Sequence, residues 1–169
     1  SRLYLSDWKN GGYRFSRPDV GSVSLITFPG KTAAKFPDLT KASDADLLRH
    51  IVSDSAVCRI NTQREILKRG AAGHIDGLGR LAADKSVHLY GRIAALFTLK
   101  QMAGASANST IARLTADETL REWAYRALAD RKRQTGGVNS ALFVKALRDK
   151  NPRVRLQAII GLARLGNPH

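Results

Sequence analysis

The chain of 169 residues is long enough for one full domain, or for one domain with part of another. Its share of hydrophobic residues, 43%, excludes a disordered chain, and it has no apolar run long enough to span a membrane. The single cysteine, Cys58, excludes an internal disulfide framework and a cysteine-rich zinc site, while the net charge of +14 raises the chance of an anionic partner.

The first segment of the chain predicts β structure. Residues 3–5 and 23–28 have the apolar, β-branched and aromatic composition of short strands, with turn residues between and after them. Two strands alone are only marginally stable. We therefore expect a small β remnant over residues 1–30, followed by a linker over residues 31–43. Because Met102 is the only methionine, we also expect the chain to be a piece of a longer polypeptide.

From residue 44 to residue 169 the sequence repeats itself. Each copy has an arginine, a small residue three positions later and an aliphatic residue seven positions later, and the arginines are Arg59, Arg92, Arg121 and Arg155. Offsets of three and seven lie on one face of a helix, so each copy predicts a helix with one buried stripe. A shorter apolar helix precedes each copy, at about residues 44–52, 73–83, 107–115 and 139–149. The sequence therefore predicts a mainly α fold, an α-α superhelix of about four helical hairpins.

Residues that favour helix N-termini support this division. Ser43 stands three residues before Asp46, and Thr115 stands three residues before Glu118, the spacing of a capping box. Asn151 precedes a proline, which is typical of a cap followed by the first helical turn. We expect helices to begin after all three of these capping residues.

The last copy carries a family resemblance. Residues 147–149, residues 152–155, Ala158 and Leu162 together resemble a HEAT repeat. In that family an arginine of the second helix and an aspartate six residues earlier contribute to a hydrogen-bonded ladder between repeats, and Arg155 and Asp149 match these positions. The resemblance implies a structural ladder, and its members here are Arg59, Arg92, Arg121, Arg155 and Asp149. In the earlier copies Ser53, Ser86 and Thr115 stand at the aspartate position, and the candidates to substitute are Asp54, Asp84 and Asp117.

The positive charge leaves a second interpretation of the arginines open. A basic residue repeated on successive helices could follow a phosphate backbone instead of forming a ladder. The compact basic run of Arg131, Lys132 and Arg133 is the candidate nucleic-acid contact in this alternative. The two interpretations differ in whether the basic residues converge on one groove or scatter and pair with carboxylates.

The N-terminal segment carries a second resemblance. Residues 3–8, 11–13 and 20–23 resemble the closing strands of a sorbosone/glucose dehydrogenase-type β-propeller. Together with residues 36–39 and 63–70, their order is similar to that of large exported bacterial proteins, frequent among planctomycetes. These proteins run from a propeller through HEAT repeats to a cytochrome c domain with a Cys-X-X-Cys-His haem motif. The resemblance implies a periplasmic or otherwise exported parent, a quinone- or haem-dependent dehydrogenase. In it, this chain would be a spacer that positions the two redox domains, or a docking surface for partners.

The remaining chemistry-bearing residues predict no catalytic, cofactor or metal site. The histidines, which are His50, His74, His88 and His169, lack the spacing of metal ligands, and we expect them at helix surfaces or interfaces. We expect Cys58 to be a small buried apolar residue, and Trp123 to pack in the core or between repeats. The sequence thus favours a non-catalytic HEAT-repeat scaffold without a cofactor. Its partners would be other domains of the same polypeptide or a protein partner, and a basic nucleic-acid-binding domain is the alternative.

Overall fold

The computed structural model of the protein describes residues 3–8, 21–27, 29–30 and 35–166. It is mainly helical with a small two-stranded sheet, as the sequence predicts. The chain divides into two compact units, Ser1–Pro37 and Asp38–His169. Within the described segments, no helix is long and apolar enough to cross a membrane.

The N-terminal unit contains an antiparallel pair of strands. Strand β1 is Leu3–Trp8 and strand β2 is Gly21–Ile26, with Leu3 opposite Ile26 and Trp8 opposite Gly21. Strand β2 begins and ends two residues earlier than the strand over residues 23–28 that the composition predicts. Every residue of both strands is exposed, because side chains alternate between two faces and the other described residues of this unit cover neither face.

The second unit consists of paired helices. Each short first helix contacts a second helix, in the pairs α1 with α2, α3 with α4, α5 with α6, and α7 with α8. The second helices of successive pairs also contact one another in turn. The helices are α1 Asp44–His50, α2 Ala56–Arg69, α3 His74–Ala83, α4 Leu89–Ala103, α5 Asn108–Leu114, α6 Arg121–Leu128, α7 Ser140–Ala146 and α8 Pro152–Arg164. Short 3-10 helices occupy Gly104–Ala107 and Lys132–Gln134.

Two of the three predicted caps are present. Ser43 forms a full capping box with Asp46, and Asn151 accepts a hydrogen bond from the main chain of Arg153. The prediction for Thr115 is wrong: this residue ends α5, and α6 begins only at Arg121. The intervening residues form a turn in which Oδ1 of Asp117 accepts hydrogen bonds from the main chain and the hydroxyl of Thr119. This turn stands in place of the predicted capping box.

The core follows the repeat pattern of the sequence. The residues three and seven positions after the repeat arginine are buried in every copy; they are Thr62, Ile66, Ala95, Leu99, Ala124, Leu128, Ala158 and Leu162. The small residue at the first of these positions lets neighbouring helices approach. An even closer approach occurs at Gly161, where an added Cβ atom would lie 2.1 Å from Cε1 of Phe143. The pairs of helices therefore share one continuous core.

Candidate functional site

The most buried ion pair of the described residues joins two successive helix pairs. Arg92, on α4, donates from Nη2 to Oδ2 of Asp117 at 2.6 Å and from Nη1 to Thr119 at 3.1 Å. The Nε atom of the same guanidinium donates to the carbonyl oxygen of Ala82 at 2.9 Å. Burial alone would raise the pKa of Asp117, but the hydrogen bonds from Arg92 and Thr119 outweigh it and hold the pKa well below its usual range.

A second ion pair repeats this arrangement one unit later. Arg121, on α6, donates from Nη1 to Oδ2 of Asp149 at 2.8 Å, and Oδ1 of Asp149 accepts from the main-chain N–H of Asn151 at 2.9 Å. The hydrogen bond from Asn151, together with that from Arg121, lowers the pKa of Asp149. The hydrogen bond to Asp149 raises the pKa of Arg121. In both pairs, the arginine of one unit binds the aspartate in the turn of the next unit.

The other two repeat arginines bind main-chain oxygens of their own unit. Arg59 donates to the carbonyl oxygens of Ser53 and Asp54 at 2.6 and 2.9 Å. Arg155 donates to those of Asp149 and Lys150 at 2.9 and 3.1 Å. Arg155 and Asp149 are thus joined through the main chain, while the carboxylate of Asp149 faces the preceding unit.

The three candidates for the substitute aspartate differ in their contacts. Asp117 takes the ladder position. Asp84 binds its neighbour Ser86 at 2.7 to 2.8 Å and forms no ion pair with an arginine among the described residues. The side chain of Asp54 is fully exposed, and its Oδ1 atom lies 3.6 Å from Nε2 of His88. The sequence could not separate them, because each stands at a different distance before the repeat arginine of its own unit: Asp54 by five residues, Asp84 by eight and Asp117 by four.

The exposed side of the second helices carries a cluster of aromatic rings and arginines. Arg126 places its guanidinium carbon 5.8 Å from the ring centre of Trp123 and 5.9 Å from that of Phe97. The two rings meet edge to face, with their centres 6.5 Å apart. Two turns earlier on α4, Tyr90 is 67% exposed, and Arg59 lies 5.8 Å from its ring centre. We call these five residues the aromatic–arginine surface, and it extends across α2, α4 and α6.

This surface was not predicted from the sequence, which indicated only that Trp123 packs in the core or between repeats. Trp123 does pack against a neighbouring unit through Phe97, but it stays half-buried and takes part in the exposed cluster. A signal was available: Phe97 and Arg126 both stand five residues after a repeat arginine, away from the buried stripe. Large apolar side chains outside the buried stripe of an amphipathic helix indicate an interaction surface.

The basic run is exposed, and a buried lysine donates a hydrogen bond to the main chain at its C-terminal end. Arg131, Lys132 and Arg133 lie between α6 and α7, partly in the 3-10 helix that ends at Gln134. Lys100, which is 1% exposed, donates from Nζ to the carbonyl oxygen of Gln134 at 2.9 Å.

The same lysine donates to Oδ1 of a second buried residue, Asn108, at 2.6 Å. The amide of Asn108 in turn donates to the carbonyl oxygens of Gln134 and Gly136 at 3.0 and 2.8 Å. Burial lowers the pKa of Lys100, since no carboxylate of the described residues forms an ion pair with it. The network therefore fixes the position of the basic run without neutralising its charge.

The described residues contain no group of three or more histidine, cysteine, aspartate or glutamate side chains that could hold a metal ion. His74 is fully buried, with Nε2 3.3 Å from Oδ1 of Asp44, and His88 caps α4. Both lie where helices meet, and His169 lies outside the described residues. Cys58 is buried, which confirms that prediction.

Comparison with known proteins adds no assignment to these contacts. No model of a known protein family matches the chain, and no curated protein matches it. The observations that support a function are therefore the ladder, the aromatic–arginine surface and the distribution of charge.

Proposed function

We propose that the chain is a non-catalytic scaffold that binds protein segments, built as a HEAT-like α-α superhelix within a larger exported, redox-active protein. The paired helices and the two arginine–aspartate pairs between successive units support the superhelix. The observation that carries the binding function is the aromatic–arginine surface. It spans three second helices and so is rigidly positioned by the repeat core.

The composition of this surface suits protein binding. Tryptophan, tyrosine and arginine are the residues most often found at energetic centres of interfaces. Here the arginines lie over the rings, which pre-organises both groups and lowers the entropy lost on binding. Tyr90 provides the most exposed ring of the surface, and Trp123 provides a half-buried ring that packs against Phe97.

The charge of the surface selects the chemistry of the partner. Arg126 is an exposed member of the cluster, and Glu122, on the same helix, is held in an ion pair by Arg153 at 2.9 Å. The free charge at the cluster is therefore positive, as is the chain as a whole. We infer that the partner is an acidic segment in which carboxylates flank aromatic or aliphatic anchors.

Selection from a displayed library of random peptides tests this proposal. We expect enrichment of peptides with aspartate or glutamate beside an aromatic residue or leucine. The Tyr90→Ser/Arg126→Gln variant should bind them at least tenfold more weakly, because an interface anchor and a charge partner are both lost. The Tyr4→Ser/Arg113→Gln variant makes the same two changes at exposed positions elsewhere, and it should bind them unchanged. Equal binding by both variants would refute the assignment to this surface.

The proposed parent protein is tested separately. An antibody to this chain, applied to compartment fractions of the source cells, should detect a haem-staining exported protein far larger than 18.5 kDa. A haem-negative band of about that mass in the cytoplasm would contradict the parent and leave the binding surface to be tested alone.

The alternative function is nucleic-acid binding, which the exposed run of Arg131, Lys132 and Arg133 favours. Against it, Asp117 and Asp149 neutralise the charges of Arg92 and Arg121, so these two repeat arginines add no net positive charge along a phosphate backbone. If several phosphates were contacted, DNA affinity would fall steeply with salt, and the Lys132→Gln/Arg133→Gln variant would reduce that slope.

A further inference from the structure

A cleft of about 980 Å³ lies on the side of α6 that faces α7. Its walls are formed by Arg121 and Tyr125 of α6, by the turn after α5, and by α7 with the turn that follows it. Leu142, Ala146 and Leu147 give it an apolar floor. The volume is at the upper end of the range for small-molecule sites, roughly 300–1,000 Å³. The aromatic–arginine surface lies on a different face of α6, because Arg121 and Trp123 are two residues apart on the helix.

The cleft is strongly basic. Four cationic side chains line it, and they are Arg121, Lys145, Arg148 and Lys150. Two carboxylates offset them: Asp149 pairs with Arg121, and Glu118 pairs with Lys150. Lys145 and Arg148 are exposed and form no ion pair with any carboxylate of the described residues. The local surplus is therefore two positive charges.

The guanidinium of Arg121 is only partly used by its aspartate. Nη1 donates to Asp149, whereas Nε is buried and has no hydrogen-bond partner among the described residues. A buried donor without a partner in a native protein calls for a water, an ion or a ligand to satisfy it. The side chain of Arg121 is 23% exposed and lines the cleft, so part of the guanidinium is in reach of an anion placed there.

We propose that this cleft binds a small organic phosphate monoester. The charge of such a phosphate, about −1.5 to −2 near pH 7, matches the surplus of two, whereas a carboxylate supplies only half of it. The phosphate accepts hydrogen bonds from Lys145, Arg148 and Arg121, and the organic group packs on the apolar floor formed by Leu142 and Leu147. This site is independent of the proposed scaffold function, since it uses other residues on another face.

Calorimetric titration with three probes tests the inference: phenyl phosphate, inorganic phosphate and benzoate. We expect phenyl phosphate to bind the tightest, because it alone combines a dianion with an apolar body. The Lys145→Gln/Arg148→Gln variant should weaken its binding about tenfold or more, since two charge-assisted contacts are removed. The Lys132→Gln/Arg133→Gln variant loses the same charge from another exposed loop and should bind as the wild type does.

Each other outcome overturns the proposal. Equal affinity for inorganic phosphate and phenyl phosphate would mean that the apolar floor takes no part and that a free ion is the occupant. Equal affinity for benzoate would remove the requirement for a dianion. An equal loss in both double variants would show attraction to the overall charge of the chain and not to this cleft. Both variants replace exposed side chains, and unchanged thermal melting will verify that they fold.

Discussion

Replacing Asp117 with asparagine should cost about 3 kcal/mol of the free energy of unfolding. The change leaves Arg92, which is 3% exposed, with a buried charge that no carboxylate compensates. Breaking a buried ion pair by removing one partner costs roughly 3–5 kcal/mol. We take the lower end because the asparagine oxygen still accepts a hydrogen bond from the guanidinium.

The second rung of the ladder provides the comparison. Asp149→Asn removes the same kind of partner from Arg121, whose side chain is 23% exposed against 4% for Arg92. Solvent screens this pair, so we expect a loss of only about 1 kcal/mol. Asp76→Asn is the control, because this exposed carboxylate forms no ion pair with the described residues, and its loss should stay within roughly 0.5 kcal/mol.

Urea denaturation followed by circular dichroism at neutral pH measures these differences, and thermal melting repeats them. At roughly 3 °C per kcal/mol, the midpoint should fall by about 9 °C for Asp117→Asn and by about 3 °C for Asp149→Asn. Equal losses for the two variants, or a loss below 1 kcal/mol for Asp117→Asn, would refute the claim that burial decides the strength of each rung.

The pH dependence gives the same prediction a second test. The folded-state pKa of Asp117 is depressed below its ordinary value of 3.8. A depressed carboxyl pKa contributes stability that is complete above the unfolded-state pKa and is lost as the pH falls through the folded-state value. The advantage of the wild type over Asp117→Asn should therefore be constant above about pH 5 and shrink below 3.8. A difference that stays constant down to the acid limit of folding would contradict this.

Three further predictions concern the core and the caps. Burial lowers the pKa of Lys100 below 10.5, so between the folded-state pKa and 10.5 the unfolded state binds more protons than the folded state. The free energy of unfolding of the wild type, measured relative to that of Lys100→Met, should therefore rise as the pH increases through that window, and a difference that does not change with pH would contradict this. Gly161→Ala should lower the free energy of unfolding by about 1–3 kcal/mol, because its Cβ would overlap the Phe143 ring. Gly79→Ala, whose Cβ would lie 3.7 Å from its nearest neighbour, should raise it by roughly 0.5–1 kcal/mol in urea denaturation, and equal effects of the two variants would contradict the packing argument. Ser43→Ala should lose about 1 kcal/mol in the same assay with the capping box of α1, and no loss would mean that this cap is not stabilising.

The candidate sites were less predictable than the fold. The repeat arginines could be found from the sequence, but not which of them meets a carboxylate. Arg92 and Arg121 reach forward to the next unit, while Arg59 and Arg155 turn back to carbonyl oxygens of their own. Asp117 and Asp149 stand at different places in their turns, four and six residues before the arginine of their own unit, so spacing alone does not show that both meet an arginine of the preceding unit.

The aromatic–arginine surface and the basic cleft were missed for a related reason. Each brings together side chains from separate helices, such as Phe97 with Trp123, or Arg121 with Lys145. The spacing along one helix can place a side chain outside the buried stripe, as it does for Phe97 and Arg126, but it does not show which side chain of another helix it meets. Lys100 is a stronger case, since a lysine inside an apolar helix is expected to reach solvent and here is closed in by the loop that it holds.

The sequence by itself determined the helical class, the division into paired helices and the buried positions three and seven residues after each arginine. It could do so because these features depend on local spacing, which a helix converts directly into one buried face. Only the tertiary structure decided which carboxylate neutralises which arginine, where rings and cations meet, and that a lysine is buried. Those features depend on how successive units are stacked, and small differences among the turns change them without altering the repeat.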